Sequence, residues 1–566
     1  MSTENRTQNP QTTPTLDADV LVIGAGLAGL TAAFDLVENG RTVLLVESSA
    51  AHGGYLALLD RQFSTDSCGF CQILPRSPGG AEFCLKSMMH HPMIDFSPST
   101  TVEGVDGRAG AFTVKLKHRA TGVDPERCTH CGRCIEVCPE EYPDPLQAGV
   151  VNRKAIGGRV PVCAPSDIRI DWEHCTRCNA CVEACPEDAV RLDAEDEEET
   201  RRVGAVVLAT GFRLYDPSQK GEYGYGRFQD VVTTLELERL IGKSLMEGHE
   251  GIVRPSDGRA PSRIAWIQCV GSREESRNYC SSVCCMISLK EARRCRQLAP
   301  DAHLEIFYMD LRTCGKGYES YLNEAKDMGI RFTRERPGEV LRQDDKLLLQ
   351  VEDANGDWHE EPFDLVVLST GFEAHPETVR LAQMLGISLD PDGFLTPQSG
   401  FLSRTGKAGV YVAGAASEPR DIPESVIQAH EAAALAAAIG GVGPGNPGAS
   451  TEVPATDLLE EDLRVMVFLC DCSGTLADRL GGETLRSSME TEPGVVTVGL
   501  HSRLCHKEGL ESLARGIGET EANALVVGAC TPRWLTQRLK KVLVETGLDP
   551  NLVQVVNLRE QGAWSQ

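Results

Sequence analysis

Eight cysteines between residues 128 and 185 fall into two runs with the same spacing. Each run reads C-x2-C-x2-C-x3-C and is followed by proline. The runs are Cys128, Cys131, Cys134, Cys138 and Cys175, Cys178, Cys181, Cys185. This is the spacing with which bacterial ferredoxins bind paired [4Fe–4S] clusters, and the fourth cysteine of each run binds the other run's cluster. The pattern therefore predicts two clusters that carry single electrons.

A glycine-rich turn near the N-terminus predicts a dinucleotide site. An apolar strand at residues 20–23 leads into Gly24, Gly26 and Gly29, a helical pattern follows, and a second apolar strand ends at Glu47. In this context the glycines allow a tight turn, close approach of the backbone to a pyrophosphate, and close packing of helix on strand. The acid is placed to accept a hydrogen bond from a ribose hydroxyl.

Three later segments favour FAD over NAD at this site. Residues 204–212 and 364–372 are apolar strands that end in Thr-Gly-Phe, and they resemble the strand–turn units of two-dinucleotide flavoproteins such as thioredoxin reductase. Residues 409–440 resemble the late flavin-binding segment of that fold, although a βα unit without a cofactor would show the same pattern. The further predicted contacts with FAD are Gly54, Thr210, Gly211, Gly414 and Asp421.

A second dinucleotide fingerprint is expected in such a chain, but the corresponding strand at residues 263–269 lacks it. Cys269 stands where a glycine is expected, and only Gly271 lies in the turn. The sequence therefore argues against NAD(P)H as the electron donor. Four thiols lie within 17 residues from this turn: Cys269, Cys280, Cys284 and Cys285. We predict a third [4Fe–4S] cluster here; buried free thiols and a zinc site are the alternatives.

A separate module follows a stretch rich in Gly, Pro, Ser and Thr. Strand and helix patterns alternate from residue 464 onward, which predicts a small α/β domain. Its cysteines, at or just beyond strand ends, are Cys470, Cys472, Cys505 and Cys530. Because the carboxyl ends of parallel strands share one edge of a sheet, we predict that these thiols bind a fourth cluster.

Composition limits the class of protein. The chain has 566 residues, 22 cysteines and a net charge of −26, which argues against a nucleic-acid partner. It contains neither an apolar run long enough to span a membrane nor an export signal, so we expect a reducing, anaerobic cytoplasm.

The predicted fold is α/β. It divides into a disordered lead (1–18), a thioredoxin-reductase-like FAD domain (19–117 and 200–440), an inserted 2[4Fe–4S] ferredoxin domain (118–199), a linker (441–463) and a C-terminal α/β iron–sulfur module (464–566).

Together these motifs resemble the A-type (HdrA-like) subunit family of heterodisulfide reductases. The resemblance rests on the early fingerprint, residues 53–60 with 65–75, the paired cysteine runs, residues 268–285, and residues 413–423. It implies an FAD and iron–sulfur oxidoreductase subunit of a larger, dimeric complex, in which the flavin can split electron pairs between two acceptors. It also implies that the cysteines from Cys269 to Cys285 bind a cluster.

The chain departs from the family pattern in its last part. The C-terminal module resembles a domain that family members carry at their N-terminus, so the order is permuted. Gly562 stands where a cysteine is expected, and a further ferredoxin pair is absent. We therefore expect the electron exit to lie on a partner chain. Cys68 and Cys71 are interpreted equally well as a functional pair beside the flavin, either a redox dithiol or ligands used by a partner, or as buried thiols.

The predicted function is electron transfer between partner subunits and a ferredoxin-like acceptor, with bifurcation at the flavin as a hypothesis. No catalytic side chain is predicted, because the cofactors carry the redox chemistry. One alternative is a non-bifurcating component of a quinone-linked or aromatic-ring (acyl-CoA) reductase complex. Another is a structural scaffold with a redox-silent flavin.

Overall fold

The protein is described by a computed structural model. It describes residues 16–50, 52–63, 93–124, 127–129, 131–158, 168–246, 251–352, 356–439, 462–471, 480–504, 507–520, 522–529, 535, 539, 542–543, 545–549 and 552–558. In these ranges, no helix is both long enough and apolar enough to cross a membrane.

The described residues form 25 strands and ten α-helices. The strands are β1 (Ala18–Ile23), β2 (Val43–Val46), β3 (Ile94–Ser97), β4 (Thr100–Arg108), β5 (Ala111–His118), β6 (Glu141–Pro143), β7 (Asn152–Lys154), β8 (Ile156–Gly157), β9 (Arg169–Ile170), β10 (Glu197–Leu208), β11 (Phe212–Leu214), β12 (Val231–Thr233), β13 (Arg263–Val270), β14 (His303–Phe307), β15 (Arg331–Thr333), β16 (Val340–Gln343), β17 (Lys346–Glu352), β18 (Trp358–Phe363), β19 (Leu365–Thr370), β20 (Phe372–Ala374), β21 (Val410–Val412), β22 (Val465–Cys470), β23 (Val495–His501), β24 (Ala524–Ala529) and β25 (Val553–Asn557). The α-helices are α1 (Leu27–Glu38), α2 (Arg133–Glu136), α3 (Ala180–Ala184), α4 (Thr234–Met246), α5 (Cys284–Leu298), α6 (Tyr318–Asp327), α7 (Pro376–Leu385), α8 (Ile422–Ala437), α9 (Gly482–Met489) and α10 (Lys507–Thr520).

The first sheet has the strand order β3-β2-β1-β10-β5-β4, and β21 also pairs with β10. Strands β3, β2, β1, β10 and β21 run parallel, whereas β5 and β4 are antiparallel additions. All six residues of β1 are buried, as expected for a parallel strand covered on both faces. Alanines of α1 and α8 pack against one face of the sheet. These small side chains let the two helices lie close to the strands and to each other.

The segment between β5 and β10, which carries the two cysteine runs, is an insertion into this sheet. His118, the last residue of β5, pairs with Glu197, the first residue of β10. The chain therefore leaves the sheet and returns to it at the same point. Between these strands lie the two small antiparallel pairs β6–β7 and β8–β9, together with the short helices α2 and α3.

A second sheet has the parallel order β12-β19-β13-β14-β15. Helices α4, α5 and α6 pack on one face around the fully buried Trp266, and the antiparallel sheet β16-β17-β18 covers the other face. The pair β11–β20 joins this unit to the first sheet. The C-terminal sheet has the order β23-β22-β24-β25, and all of its pairings are parallel.

Candidate cofactor sites

Two cavities in the described part of the insert are each lined by four thiols. The first is lined by Cys128, Cys131, Cys134 and Cys185. The second is lined by Cys138, Cys175, Cys178 and Cys181. Each cavity thus takes three cysteines from one run and the last cysteine from the other run. This is the ligand arrangement of paired [4Fe–4S] clusters, and the residues present fit that group.

The two runs form the same local turn. Gly132 and Asn179 occupy equivalent places, between the second and third cysteines of their runs, and both have left-handed backbones with φ of 75° and 66°. Each begins a short helix that carries the third cysteine, Cys134 in α2 and Cys181 in α3. A left-handed residue at this point turns the chain so that thiols on either side of it line one cavity.

Two of these thiols, Cys134 and Cys181, are buried, and burial raises their pKa values. Burial, followed by the neighbouring thiols Cys128 and Cys131, raises the pKa of Cys134 to about 12. Burial also raises the pKa of Cys181. Backbone amides donate to two of the sulfurs, from Ala189 to Cys185 at 3.3 Å and from Arg177 to Cys175 at 3.4 Å. Amide donors of this kind stabilise the charge of thiolates bound to a cluster.

Over the part of the chain that the structure describes, no three His, Cys, Asp or Glu side chains lie close enough together to share one metal ion. A [4Fe–4S] cluster does not require such proximity, because each of its four thiolates binds a different iron.

The early fingerprint forms a cradle in which side chains are sterically excluded at two points. A Cβ added at Gly24 would lie 2.3 Å from the Ala209 carbonyl oxygen, and one at Gly29 would lie 1.8 Å from the Gly24 carbonyl oxygen. At Gly26 an added Cβ meets nothing within 4 Å, so the space beside the start of α1 is open. A helix N-terminus that faces open space is a favourable place for a pyrophosphate.

Glu47 lies beside this cradle and is fixed by backbone amides. Its carboxylate accepts from the amides of Ala25 and Ser49, each at 2.8 Å. Gly54 lies against the same turn, since a Cβ there would be 3.3 Å from the Gly26 Cα. The fingerprint turn and the segment that carries Gly54 therefore meet at one point.

The other residues that were predicted to contact FAD lie around the first sheet and make different contacts. Thr210 shares a 2.6 Å hydrogen bond with Thr378, and Gly211 has a φ of 68° with open space beside it. Gly414 approaches α1 closely, because a Cβ there would be 2.7 Å from that of Ala28. Asp421 caps α8: its side chain accepts from the Glu424 amide at 2.8 Å, which is a structural role that the sequence pattern did not predict.

The third cysteine group converges at the carboxyl end of β13. Cys269 lies within that strand, at a shift in the strand register, and its φ of 61° is the left-handed backbone that a glycine would adopt. Cys284 and Cys285 begin α5, and Cys280 lies in the loop before it. The charges of Cys269 and Cys280 contribute to raising the pKa of both helix cysteines, so the four thiols lie near one another.

Burial governs the protonation of these thiols as well. It raises the pKa of Cys285 to about 11 and that of Cys284 well above its usual value. Arg273 acts in the opposite direction on Cys269, although burial still leaves the pKa of that thiol raised. Amides donate to Cys280 from Ser282 at 3.3 Å and to Cys285 from Arg312 at 3.5 Å. The group therefore has the donors that would support bound thiolates.

Most of the predicted fourth site lies outside the described residues. Cys470 is buried at the carboxyl end of β22, and its sulfur accepts from the amide of Leu504 at 3.4 Å. The other predicted members, Cys472, Cys505 and Cys530, fall outside the described ranges, as do Cys68, Cys71 and Gly562.

A stack of three aromatic rings lies between the glycine cradle and the third cysteine group, and the sequence pattern did not predict it. Tyr55, Phe212 and Phe372 lie face to face, with ring planes 15° apart at each step. The repeated Thr-Gly-Phe ending of two strands was the available signal. By itself that repeat indicates only a turn, because nothing local shows that the two phenylalanines meet.

Two family profiles match parts of the chain. A 4Fe-4S dicluster domain profile matches residues 120–186, and an FAD binding domain profile matches residues 19–59. The predicted pair of cofactor types, FAD and [4Fe–4S], is confirmed at the level of these domains.

Curated relatives match about three quarters of the chain. It is 44% identical over 425 residues to the second A-type iron-sulfur subunit of CoB--CoM heterodisulfide reductase in Methanopyrus kandleri, a match that covers 74% of this chain and 63% of the relative. It is 42% identical over 437 residues to the A-type subunit of H(2)/formate:CoB-CoM heterodisulfide,ferredoxin reductase in Methanococcus maripaludis, covering 76% and 65%. The chain thus spans a little less than two thirds of the length of these relatives.

Among solved structures, thioredoxin reductase from T. acidophilum is similar to 74% of this chain and 98% of its own, with 15% identity and a TM-score of 0.41. A likeness this distant adds nothing to the argument for the fold. The strand order and the two profile matches confirm the predicted α/β flavoprotein fold with an inserted dicluster domain.

Proposed function

Because three quarters of the chain belongs to the HdrA-like family of heterodisulfide reductase subunits, we propose that it is the FAD- and [4Fe–4S]-containing electron-transfer subunit of a heterodisulfide-reductase-like complex. One observation carries the proposal. Two cavities with crossed sets of four thiols are inserted directly into a dinucleotide-binding sheet. Electron carriers and a flavin site are thereby held on one frame.

The residues divide among the cofactors as follows. The glycine cradle from Gly24 to Gly29, with Glu47 and Gly54, would hold the FAD dinucleotide. The thiols of the two cavities would hold two clusters, and the group from Cys269 to Cys285 a third. Cys470 would contribute to a fourth cluster in the module that begins at residue 464. The insert is proposed to span residues 118–199 within a flavin domain of residues 19–117 and 200–440.

When bound, FAD exchanges one or two electrons and each cluster exchanges one. The protein's own contribution is to position these groups and set their potentials, through amide donors to the sulfurs and through burial of the thiols. We propose other subunits of a cytoplasmic, dimeric redox complex and a ferredoxin-like carrier as partners. The second relative's name pairs a heterodisulfide with ferredoxin, which supports two electron acceptors and bifurcation at the flavin.

Metal and flavin analysis of the anaerobically purified chain tests this function. We expect one FAD and about sixteen irons with matching acid-labile sulfide, from four four-iron clusters. Stepwise reduction should bleach the flavin and give electron paramagnetic resonance (EPR) signals of reduced clusters. An iron-free chain, or a flavin that is reduced without any cluster following, would contradict the proposal.

Rapid mixing with a two-electron donor tests bifurcation separately. Bifurcation requires that a low-potential cluster becomes reduced while a second acceptor takes the other electron. Identification of the proteins that purify with the chain tests the complex: a haem-bearing membrane protein or a tungsten protein would favour the quinone or aromatic-ring alternatives instead.

A further inference from the structure

Three stacked rings connect the flavin cradle with the third cysteine group. The ring centroids of Tyr55 and Phe212 are 4.6 Å apart, and those of Phe212 and Phe372 are 3.5 Å apart. Phe372 is buried, and the other two rings are half-buried. Stacked rings at these distances form a continuous packed path without a gap.

One end of the stack belongs to the flavin cradle. Tyr55 directly follows Gly54, which lies against Gly26 of the fingerprint. Phe212 directly follows Thr210 and Gly211, the turn at the end of β10. Both rings are therefore attached to the two segments that surround the predicted cofactor.

The other end belongs to the loop that carries the third cysteine group. The amide of Phe372 donates to the Ser281 hydroxyl at 2.8 Å, and the Tyr279 hydroxyl donates to the Phe372 carbonyl at 2.7 Å. The Cys284 sulfur lies 3.7 Å from the Thr370 carbonyl oxygen. Residues 370–372 are thus bonded to the cysteine loop on one side and stacked toward the flavin on the other.

Ion pairs beside the stack also connect β11 and β20 with the cysteine loop. Glu373 accepts from Arg213 at 2.7 Å and from Arg277 at 2.7 Å, so one carboxylate joins β11, β20 and the cysteine loop. Gly371 packs closely against the cysteine loop, because an added Cβ would lie 2.8 Å from the Ser281 hydroxyl. Ion pairs and close packing therefore both connect residues 371–373 with the cysteine loop.

We propose that Tyr55, Phe212 and Phe372 are positioning residues that hold the flavin pocket and the third cluster at a fixed, short separation and fill the path between them. The inference rests on the proposed function. The step they serve is the transfer of one electron from reduced FAD to the oxidised four-iron cluster, with no bond formed or broken. Transfer through packed atoms is faster than transfer across a void, so loss of a central ring should slow this step.

The test replaces the central ring in the cofactor-loaded protein. Phe212→Leu removes the middle of the stack, and Phe212→Tyr keeps the ring. Phe307→Leu is the matched control: it removes a buried ring that packs edge-on against Phe363 in the core of the second unit, away from the stack. The measurements are the rate of third-cluster reduction after flash reduction of the flavin, the two potentials, the flavin–cluster magnetic coupling, and iron and flavin content.

We expect Phe212→Leu to slow the transfer several-fold and weaken the magnetic coupling, while both potentials and the cofactor content stay unchanged. Phe212→Tyr and Phe307→Leu should match the unaltered protein. If Phe212→Leu fails to fold, Tyr55→Leu at the more exposed end of the stack provides the same comparison. An unchanged rate in a loaded leucine variant overturns this inference alone. Absence of any transfer from flavin to third cluster in the unaltered protein overturns the proposed function and the inference with it.

Discussion

Cys185 lines the same cavity as Cys128, although the two belong to different halves of the tandem repeat. Cys138, which is only four residues from Cys134, lines the other cavity. The last cysteine of each run is directed across the insert because a short helix ends just before it, after Glu136 in one run and Ala184 in the other. Each half of the repeat therefore contributes its last cysteine to the cavity of the other half.

This crossing gives a first prediction. Cys185→Ser should damage the same cluster as Cys131→Ser, and Cys138→Ser the same cluster as Cys178→Ser. EPR spectra of the reduced variants should therefore fall into two classes that follow the cavities rather than the sequence runs. Grouping by run, with Cys185→Ser resembling Cys178→Ser, would contradict the crossed arrangement.

A second prediction separates cofactor binding from folding at the glycine cradle. Gly26→Ala adds a methyl group to open space, so the protein should fold normally but lose FAD, since the methyl group would occupy the pyrophosphate position. Gly29→Ala forces a clash with the Gly24 carbonyl and should lower thermal stability itself. Flavin content and the thermal midpoint distinguish the two. Full flavin content in Gly26→Ala would show that the open space is not the binding site.

A third prediction concerns the group around Cys269. Cys269→Ser should lower the iron content by about four atoms per chain while FAD and the two insert clusters are retained. Cys314→Ser, at an exposed thiol outside the group, serves as the control and should lose no iron. Loss of one zinc ion with no change in iron content would favour the zinc alternative, and no metal loss at all would favour buried free thiols.

A buried carboxyl group in α5 gives a fourth prediction. Glu291 is fully buried, one of its carboxyl oxygens accepts from the Trp266 indole at 2.9 Å, and the buried ion pair of Lys290 with Glu238 lies nearby. Burial, with the charge of Glu238, raises the pKa of Glu291 well above its usual 4.5. The folded protein therefore keeps a proton that the unfolded chain releases above about pH 4.5.

The free energy of unfolding should accordingly fall as the pH rises from about 4.5 toward the raised pKa. Glu291→Gln should remove this contribution to the pH dependence. The thermal midpoints of Glu291→Gln and of the unaltered protein are measured with cofactors bound. The midpoint of the variant minus that of the unaltered protein should be more positive at pH 8 than at pH 5. The exposed Glu222→Gln is the control and should show no such difference. An equal shift of Glu291→Gln at both pH values would mean that the carboxyl is already ionised in the folded state.

Residue type and short-range spacing were sufficient to predict the cofactor types. A cluster needs thiolates and a dinucleotide needs glycines before a helix, and both requirements fall within stretches such as residues 128–138 and 24–29. The alternation of apolar strands with helices likewise predicted the α/β fold, since periodicity is a local property. The chain order of the predicted units follows from the same patterns.

The spacing predicted that Cys185 crosses to the cavity of Cys128, and the structure places it there. Asp421 proved to be the cap of α8, a role that the sequence analysis did not predict. Tertiary structure alone decided which distant aromatic rings meet. The stack from Tyr55 to Phe372 joins rings from three distant segments, and no local pattern encodes that contact. Spacing along the chain fixes what a residue can bind, whereas the pairing of distant strands fixes what lies beside it.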